Sequence, residues 1–186
     1  MRANFYIIEK LLPHNKTYKE VVMNIHIRDI DKSEYSILED FLYEAIYIPE
    51  GMQRPEKDII KSRQLQVYVK NFGESADDNA LVAEHEGRII GACWTRIMDD
   101  YGHVDDNTPS LAISLFKEYR GKGIGTQLLI QMLKKLKEKG YEQTSLSVQK
   151  ENFAFKLYKK VGYEIIHESD DEYIMVYNFI KNNQGE

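Results

Sequence analysis

The chain has one cysteine, Cys93, so it can close no internal disulfide and build no cysteine-based zinc cage. That scarcity fits a reducing cytoplasm, and Cys93, inside an apolar strand-like run, reads as a small core residue. No run of 18 or more apolar residues occurs, so no membrane-spanning helix and no membrane partner are expected. The first 24 residues carry Glu9, Lys10, Lys16, Lys19 and Glu20 where a secretory leader would keep an unbroken apolar core. A soluble, cytoplasmic protein is expected. The five histidines, at 14, 26, 85, 103 and 167, show no HExxH or other ligand spacing, so no metal is expected. An excess of basic residues is missing too. The formal charge of −5 argues against a nucleic-acid partner and mildly favours cationic substrates.

What is present is enough for one core, since 186 residues with 42% hydrophobic content suit a single domain. Residues 1–22 do not share the pattern that follows and are expected to be an extension, disordered or a short helix. The domain is expected over 23–180, with a tail at 181–186. Met23 to Arg28 alternates as a strand does. Asp31 and Glu34 resemble a capping box before the helical spacing of Ile37, Leu38, Phe41, Leu42, Ala45 and Ile46. A second helical region follows Pro55, with Gly73 as its C-terminal cap. Ala80–His85 and Arg88–Ile97 read as a hairpin about Glu86-Gly87, and Leu111–Phe116 as a fourth, central strand. A long helix follows with Ile124, Leu128, Leu129, Met132, Leu133 and Leu136 on one face, ended by Gly140. A strand at Gln143–Val148, a helix at Asn152–Val161 and strands at Tyr163–His167 and Tyr173–Phe179 complete the pattern.

The most informative segment is Tyr119-Arg120-Gly121-Lys122-Gly123-Ile124-Gly125-Thr126, between a strand and the strongest helix. The first turn of a helix has N–H groups without internal partners and the positive end of the dipole, so glycines that let a ligand reach the main chain make an anion cradle. Arg120 and Lys122 add positive charge there. The segment lacks the GxxxxGK[ST] of a P-loop, and it comes too late in the chain for a dinucleotide fold.

Arg120-Gly121-Lys122-Gly123-Ile124-Gly125 resembles the R/Q-x-x-G-x-G/A coenzyme A signature of the GNAT superfamily of N-acetyltransferases. Asn152-Phe153-Ala154-Phe155-Lys156-Leu157-Tyr158, running on to Gly162-Tyr163, resembles the same superfamily's N-x-A-x-x-L-Y-x-x-x-G-F/Y segment. The resemblance implies an α/β (α+β) fold with a mostly antiparallel central sheet of six to seven strands, flanked by about four helices. It also implies a V-shaped split between the fourth and fifth strands, and acetyl-CoA as co-substrate. By the same resemblance, Gly121, Lys122, Gly123, Ile124, Gly125 and Thr126, with Arg120, hold the pyrophosphate. Ile113, Ser114 and Leu115 offer main chain to the pantetheine arm, Asn152 contacts that arm, and Tyr158 protonates the departing thiolate. Read without the resemblance, Tyr158 is a core aromatic on an amphipathic helix.

The implied reaction is direct transfer of an acetyl group to an amine, with no acyl-enzyme. An amine of pKa near 10.4 must first lose a proton, which costs about 4 to 5 kcal/mol at pH 7. Glu84, Asp99, Asp100, Asp105, Asp106 and Glu118 are the candidate acceptors of that proton. A main-chain N–H near Leu115 or Phe116 is the candidate oxyanion donor. The family's habit nominates Tyr43, Tyr47, Glu50, Met52, Arg54 and Tyr173 for the acceptor pocket, and homodimerisation. A small-molecule amine and a peptide amine, at a protein N-terminus or lysine, both stay open as acceptor. So does a coenzyme A-binding sensor or interaction domain that does not turn over.

Overall fold

The computed structural model describes residues 5–8 and 22–181. Its strands are β1 (Phe5–Ile8), β2 (Val22–Asp29), β3 (Asn79–His85), β4 (Arg88–Arg96), β5 (Ser110–Leu115), β6 (Gln143–Gln149), β7 (Glu164–Glu168) and β8 (Glu172–Asn178). Its helices are α1 (Ile37–Ala45), the single turn α2 (Arg63–Gln66), α3 (Ile124–Glu138) and α4 (Ala154–Val161). The strands lie in the order β1-β2-β3-β4-β5-β6-β8-β7. Every neighbouring pair is antiparallel except β5 and β6. The seven strands from β2 to β8 make the expected mixed, mostly antiparallel sheet. An eighth, β1, comes from the segment expected as a disordered extension or short helix and pairs with Val22 to Ile25. Residues 1–4, 9–21 and 182–186 lie outside the described residues.

The sheet is covered on both faces, because its central strands bury both rows of side chains. One face meets α3 and α4 through Ile124, Leu128, Leu129, Met132, Leu136, Cys93, Leu111, Leu146, Met175 and Tyr163. The other meets α1 and the segment after it through Leu38, Phe41, Leu42, Val82, Ala92 and Trp94. The β3–β4 turn has Glu86 at φ 50 and Gly87 at φ 78, the two left-handed positions of a tight hairpin.

Two expected helices differ in form. The capping box of Asp31 and Glu34 forms, but it caps a 3-10 turn, Lys32–Glu34, ahead of α1. The region after Pro55 divides into a 3-10 turn, Lys57–Lys61, the short α2 and a chain of turns. Side chains of β4 hold the last of these turns against the sheet. Trp94 Nε1 donates to Tyr68 O at 3.1 Å, and Arg96 Nη1 to Val67 O at 3.1 Å and Lys70 O at 2.9 Å.

The first turn is also fixed from β2. Arg28 donates to both oxygens of Glu34, at 2.7 and 2.8 Å, and to Glu84 at 2.9 and 3.0 Å. Arg28's hydrogen bonds hold the Glu34 carboxyl at about 2, below its ordinary 4.5. A depressed carboxyl contributes stability that is present above its unfolded pKa and lost as the group protonates in the folded state. Wild type should therefore exceed Glu34→Gln in urea-unfolding stability above about pH 4.5, and the gap should close as pH falls towards 2. Paired denaturation curves at several pH values measure it.

Candidate active site

Strand β5 pairs with β4 along its whole length, from Ser110↔Arg96 to Leu115↔Gly91. On its other side it shares a single bridge with β6, Ser110↔Ser145, and beyond that the two strands separate. Phe116 N donates to Ile90 O at 3.1 Å, so the even-numbered residues of β5 turn their main-chain groups towards β4. By alternation the odd-numbered ones turn theirs towards β6. Pro109 O indeed accepts from Ser145 N at 3.1 Å. Past the bridge, the N–H and C=O of Ile113 and the N–H of Leu115 face a gap between strands. Phe116 N–H, one of the two expected oxyanion donors, is excluded because Ile90 takes it, and Leu115 N–H keeps the right direction.

The gap opens towards the glycine segment. Gly121 at φ 74 and Gly123 at φ 79 are left-handed, and Gly123 is the N-cap of α3. A Cβ on either would meet nothing, so glycine is needed there for backbone conformation. Gly125 differs: its Cβ would lie 3.2 Å from Leu115 Cδ1, so its hydrogen lets α3 pack close to β5. Gln127 N makes the first helical bond, to Gly123 O at 3.2 Å. The preceding N–H groups, of Ile124, Gly125 and Thr126, have no acceptor within the helix. Gly121 and Gly123 are exposed, and Lys122 and Thr126 half-buried.

Arg120 does not simply add charge to this turn. Its Nε donates to Leu115 O at 2.9 Å, and its Nη2 to Glu44 O at 3.0 Å and Glu44 Oε2 at 2.6 Å. It ties the end of α1 to the end of β5. Ser114, also nominated for the coenzyme arm, is buried, with its hydroxyl donating to Phe41 O at 2.6 Å. Asn152 places Oδ1 on the N–H of Ala154, 3.0 Å away, and so helps to start α4.

Tyr158 is buried, with its ring 5.8 Å from that of Tyr163. Burial pushes its phenol well above the ordinary value, and the nearby Cys93 adds to the shift. Cys93 lies opposite Ile113, so Tyr158 approaches the sheet at the level of the gap, from the α3/α4 face.

The nominated acceptor residues separate into two groups. Tyr43 donates to Pro55 O at 2.6 Å and lies 4.0 Å beneath the Arg54 guanidinium, which also reaches Glu44 at 3.0 Å. Met52 and Glu50 are exposed on the loop between them. Tyr173 stands apart, with its ring 5.0 Å from that of Phe155. Among the candidate proton acceptors, Glu84 is engaged by Arg28, Glu118 lies 3.8 Å from Arg88, and Asp105 binds the N–H of Asn107. Asp99 and Asp106 are exposed. Asp100 alone contacts the bridge residue, Ser110, whose Oγ donates to it at 2.7 Å. Tyr68, which faces the same carboxylate, was beyond sequence reading, since its spacing marks only a helix face.

The model of the Acetyltransferase (GNAT) family matches residues 40–163, and the chain belongs to that family. Among curated proteins it is 27% identical to mycothiol acetyltransferase of Saccharomonospora viridis, over 64% of this chain and 40% of that one. It is 33% identical to the Thermobifida fusca mycothiol acetyltransferase, over 47% of this chain and 28% of that one. The chain thus spans less than half the length of these relatives. Among solved structures it resembles the PaiA N-acetyltransferase of Thermoplasma acidophilum in complex with coenzyme A. The TM-score is 0.63 at 23% identity, covering 84% of this chain and all of that one. The yncA protein of Salmonella typhimurium, solved with its cofactor acetyl-CoA, gives a TM-score of 0.57 at 17% identity, over 83% and 93% of the two chains.

The Arg120 clamp is testable apart from any activity. In Arg120→Ala, the Leu115 carbonyl and the largely buried Glu44 carboxylate lose their donor, while Arg54 still covers one Glu44 oxygen. The expected loss is about 1 to 2 kcal/mol in urea unfolding, towards the lower end for a charged donor.

Proposed function

We propose that the chain moves an acetyl group from acetyl-CoA directly to an amine, with Tyr158 as general acid. The observation that carries the proposal is the one-bridge divergence of β5 and β6, which leaves a row of main-chain donors and acceptors leading away from the start of α3. An amide-bearing pantetheine arm can add to such a row as a strand would. The diphosphate it carries then meets the free N–H groups of Ile124, Gly125 and Thr126 and the helix dipole. Arg120 supports the cradle by holding the chain at Leu115, and Asn152 by starting the helix that carries Tyr158.

Once the amine's lone pair has attacked the acetyl carbon, the tetrahedral oxyanion faces Ile113 N–H, deeper in the gap than the Leu115 end of β5 that abuts the start of α3. As the carbon–sulfur bond breaks, the thiolate needs a proton. Tyr158, buried and with its pKa raised, is protonated at neutral pH and so stands ready to donate to the sulfur as the carbon–sulfur bond breaks. The fixed geometry of both reactants supplies the remainder of the acceleration. The acceptor is an amine on a small molecule or at a peptide end or lysine, approaching from the side of the Tyr43–Arg54 loop.

Coenzyme A should raise the unfolding temperature of the protein, and acetyl-CoA should release thiol with at least one amine of a panel spanning polyamines, amino acids, aminoglycosides and lysine peptides. Tyr158→Phe should lower turnover roughly 10- to 10⁴-fold with coenzyme A affinity nearly intact. An unaltered rate removes Tyr158 from the mechanism. Binding without thiol release across the panel marks a sensor in place of an enzyme.

A further inference from the structure

Resting on the acyl-transfer reading, we propose that Asp100 is the general base that takes the proton from the acceptor ammonium. The two faces of the sheet carry the argument. Odd-numbered residues of β5 point their side chains at the α3/α4 core, which holds Tyr158, whereas Ala112 and Ser114 point at α1. Ser110 continues the latter row. Its Oγ donates to Asp100 Oδ1 at 2.7 Å and lies 3.3 Å from Ser145 Oγ. Since Ser110↔Ser145 is the bridge where the strands part, Asp100 is fixed at the closed end of the gap, on the face opposite Tyr158. A proton donor for sulfur and a proton acceptor for nitrogen then approach one thioester from opposite sides.

The connection that carries Asp100 is held at both ends. A Cβ on Gly102 would come within 3.0 Å of Leu146 C and Ser147 N, so this turn lies directly on the main chain of β6. His103 Nδ1 lies 3.0 Å from Met98 O, closing the turn behind it. The groups that bond the carboxylate are the Ser110 and Tyr68 hydroxyls and the main-chain N–H of Gly102. Ser110 comes from β5 and Tyr68 from the segment after α2, and Tyr68 in turn faces Tyr101 and Glu172 of β8, which receives Ser147 Oγ at 3.4 Å. An ammonium suits such a corner. Burial raises the Asp100 carboxyl above its ordinary value, against the hydrogen bonds from Ser110 and Tyr68, and so makes it a better base than an exposed aspartate.

The protons balance as follows. The ammonium gives one proton to the Asp100 carboxylate, and the freed lone pair forms the nitrogen–carbon bond. Collapse of the tetrahedral adduct breaks the carbon–sulfur bond, its electron pair goes to sulfur, and Tyr158 protonates the thiolate. The proton still in excess on the amide nitrogen restores the Tyr158 phenolate through water, and Asp100 releases its own to solvent. One proton is produced per acetyl transferred.

The test uses the full chain with acetyl-CoA and an amine that wild type accepts, spermidine or a lysine peptide first. Asp100→Asn should lower kcat/KM about 10²- to 10⁴-fold at pH 7 and abolish the acid limb of the pH profile. Coenzyme A affinity and unfolding temperature should stay close to wild type, and Asp100→Glu should recover part of the rate. Ser110→Ala removes a donor that favours the charged carboxylate, so it should move the acid limb to higher pH. Glu138→Gln, exposed at the far end of α3 and paired with Lys134, should change neither. Wild-type kcat/KM and an unmoved profile in Asp100→Asn overturn the assignment and leave the acyl-transfer reading standing. Should Asp100→Asn not fold, an unmoved limb in Ser110→Ala overturns it equally. A wild-type protein that releases no thiol with any amine removes both readings.

Discussion

The whole arrangement depends on two neighbouring strands that agree to pair once and then part. Buried N–H and C=O groups must find partners, and in a complete sheet the next strand supplies them. Here β5 has β4 on one side and, beyond Ser110, no strand on the other. The protein meets part of that demand itself: Arg120 reaches back to Leu115 O. The unmet part, at Ile113 and Leu115, forms a linear row with the spacing of a strand. A sheet left incomplete thus presents the kind of edge to which an extended, amide-bearing chain can add.

Glu44 links that row to the loop after α1. Its carboxylate lies between Arg120, which holds β5, and Arg54, which stacks on Tyr43 in the loop after α1. Only 14% of its side chain is accessible, so solvent screens these ion pairs less than it would surface ones. The loop and the glycine turn thus share one anion. Movement of the loop that withdraws Arg54 leaves Arg120 as the carboxylate's remaining cation, so the loop and the end of β5 are coupled through a single side chain.

Much of this was legible in the sequence, for identifiable reasons. Helix α3 announces itself because six apolar residues at helical spacing all face one core, and the β3–β4 hairpin because Glu86-Gly87 suits two left-handed positions. The glycine turn was legible because backbone conformation leaves a residue-type record at Gly121 and Gly123. The helix after Pro55 was misjudged: its segment forms short turns held to the sheet by Trp94 and Arg96, which are distant in sequence. That Arg120 also holds Glu44 was not legible, since nothing local reveals that partner. Asp100 was one acidic residue among several until the fold set it beside Ser110. Tertiary hydrogen bonds between remote side chains leave no periodicity to read.

Cys93, the chain's lone thiol, lies wholly inside the core on β4, and burial raises its pKa well above the ordinary value. Thiolate, not thiol, reacts with disulfides and alkylating dyes, so the native protein is silent towards such reagents and contributes no background when they are used to count liberated coenzyme A. Labelling can proceed only in molecules whose central strands have opened. The same atom therefore serves as a built-in timer, its modification rate reporting how often the heart of the sheet comes apart.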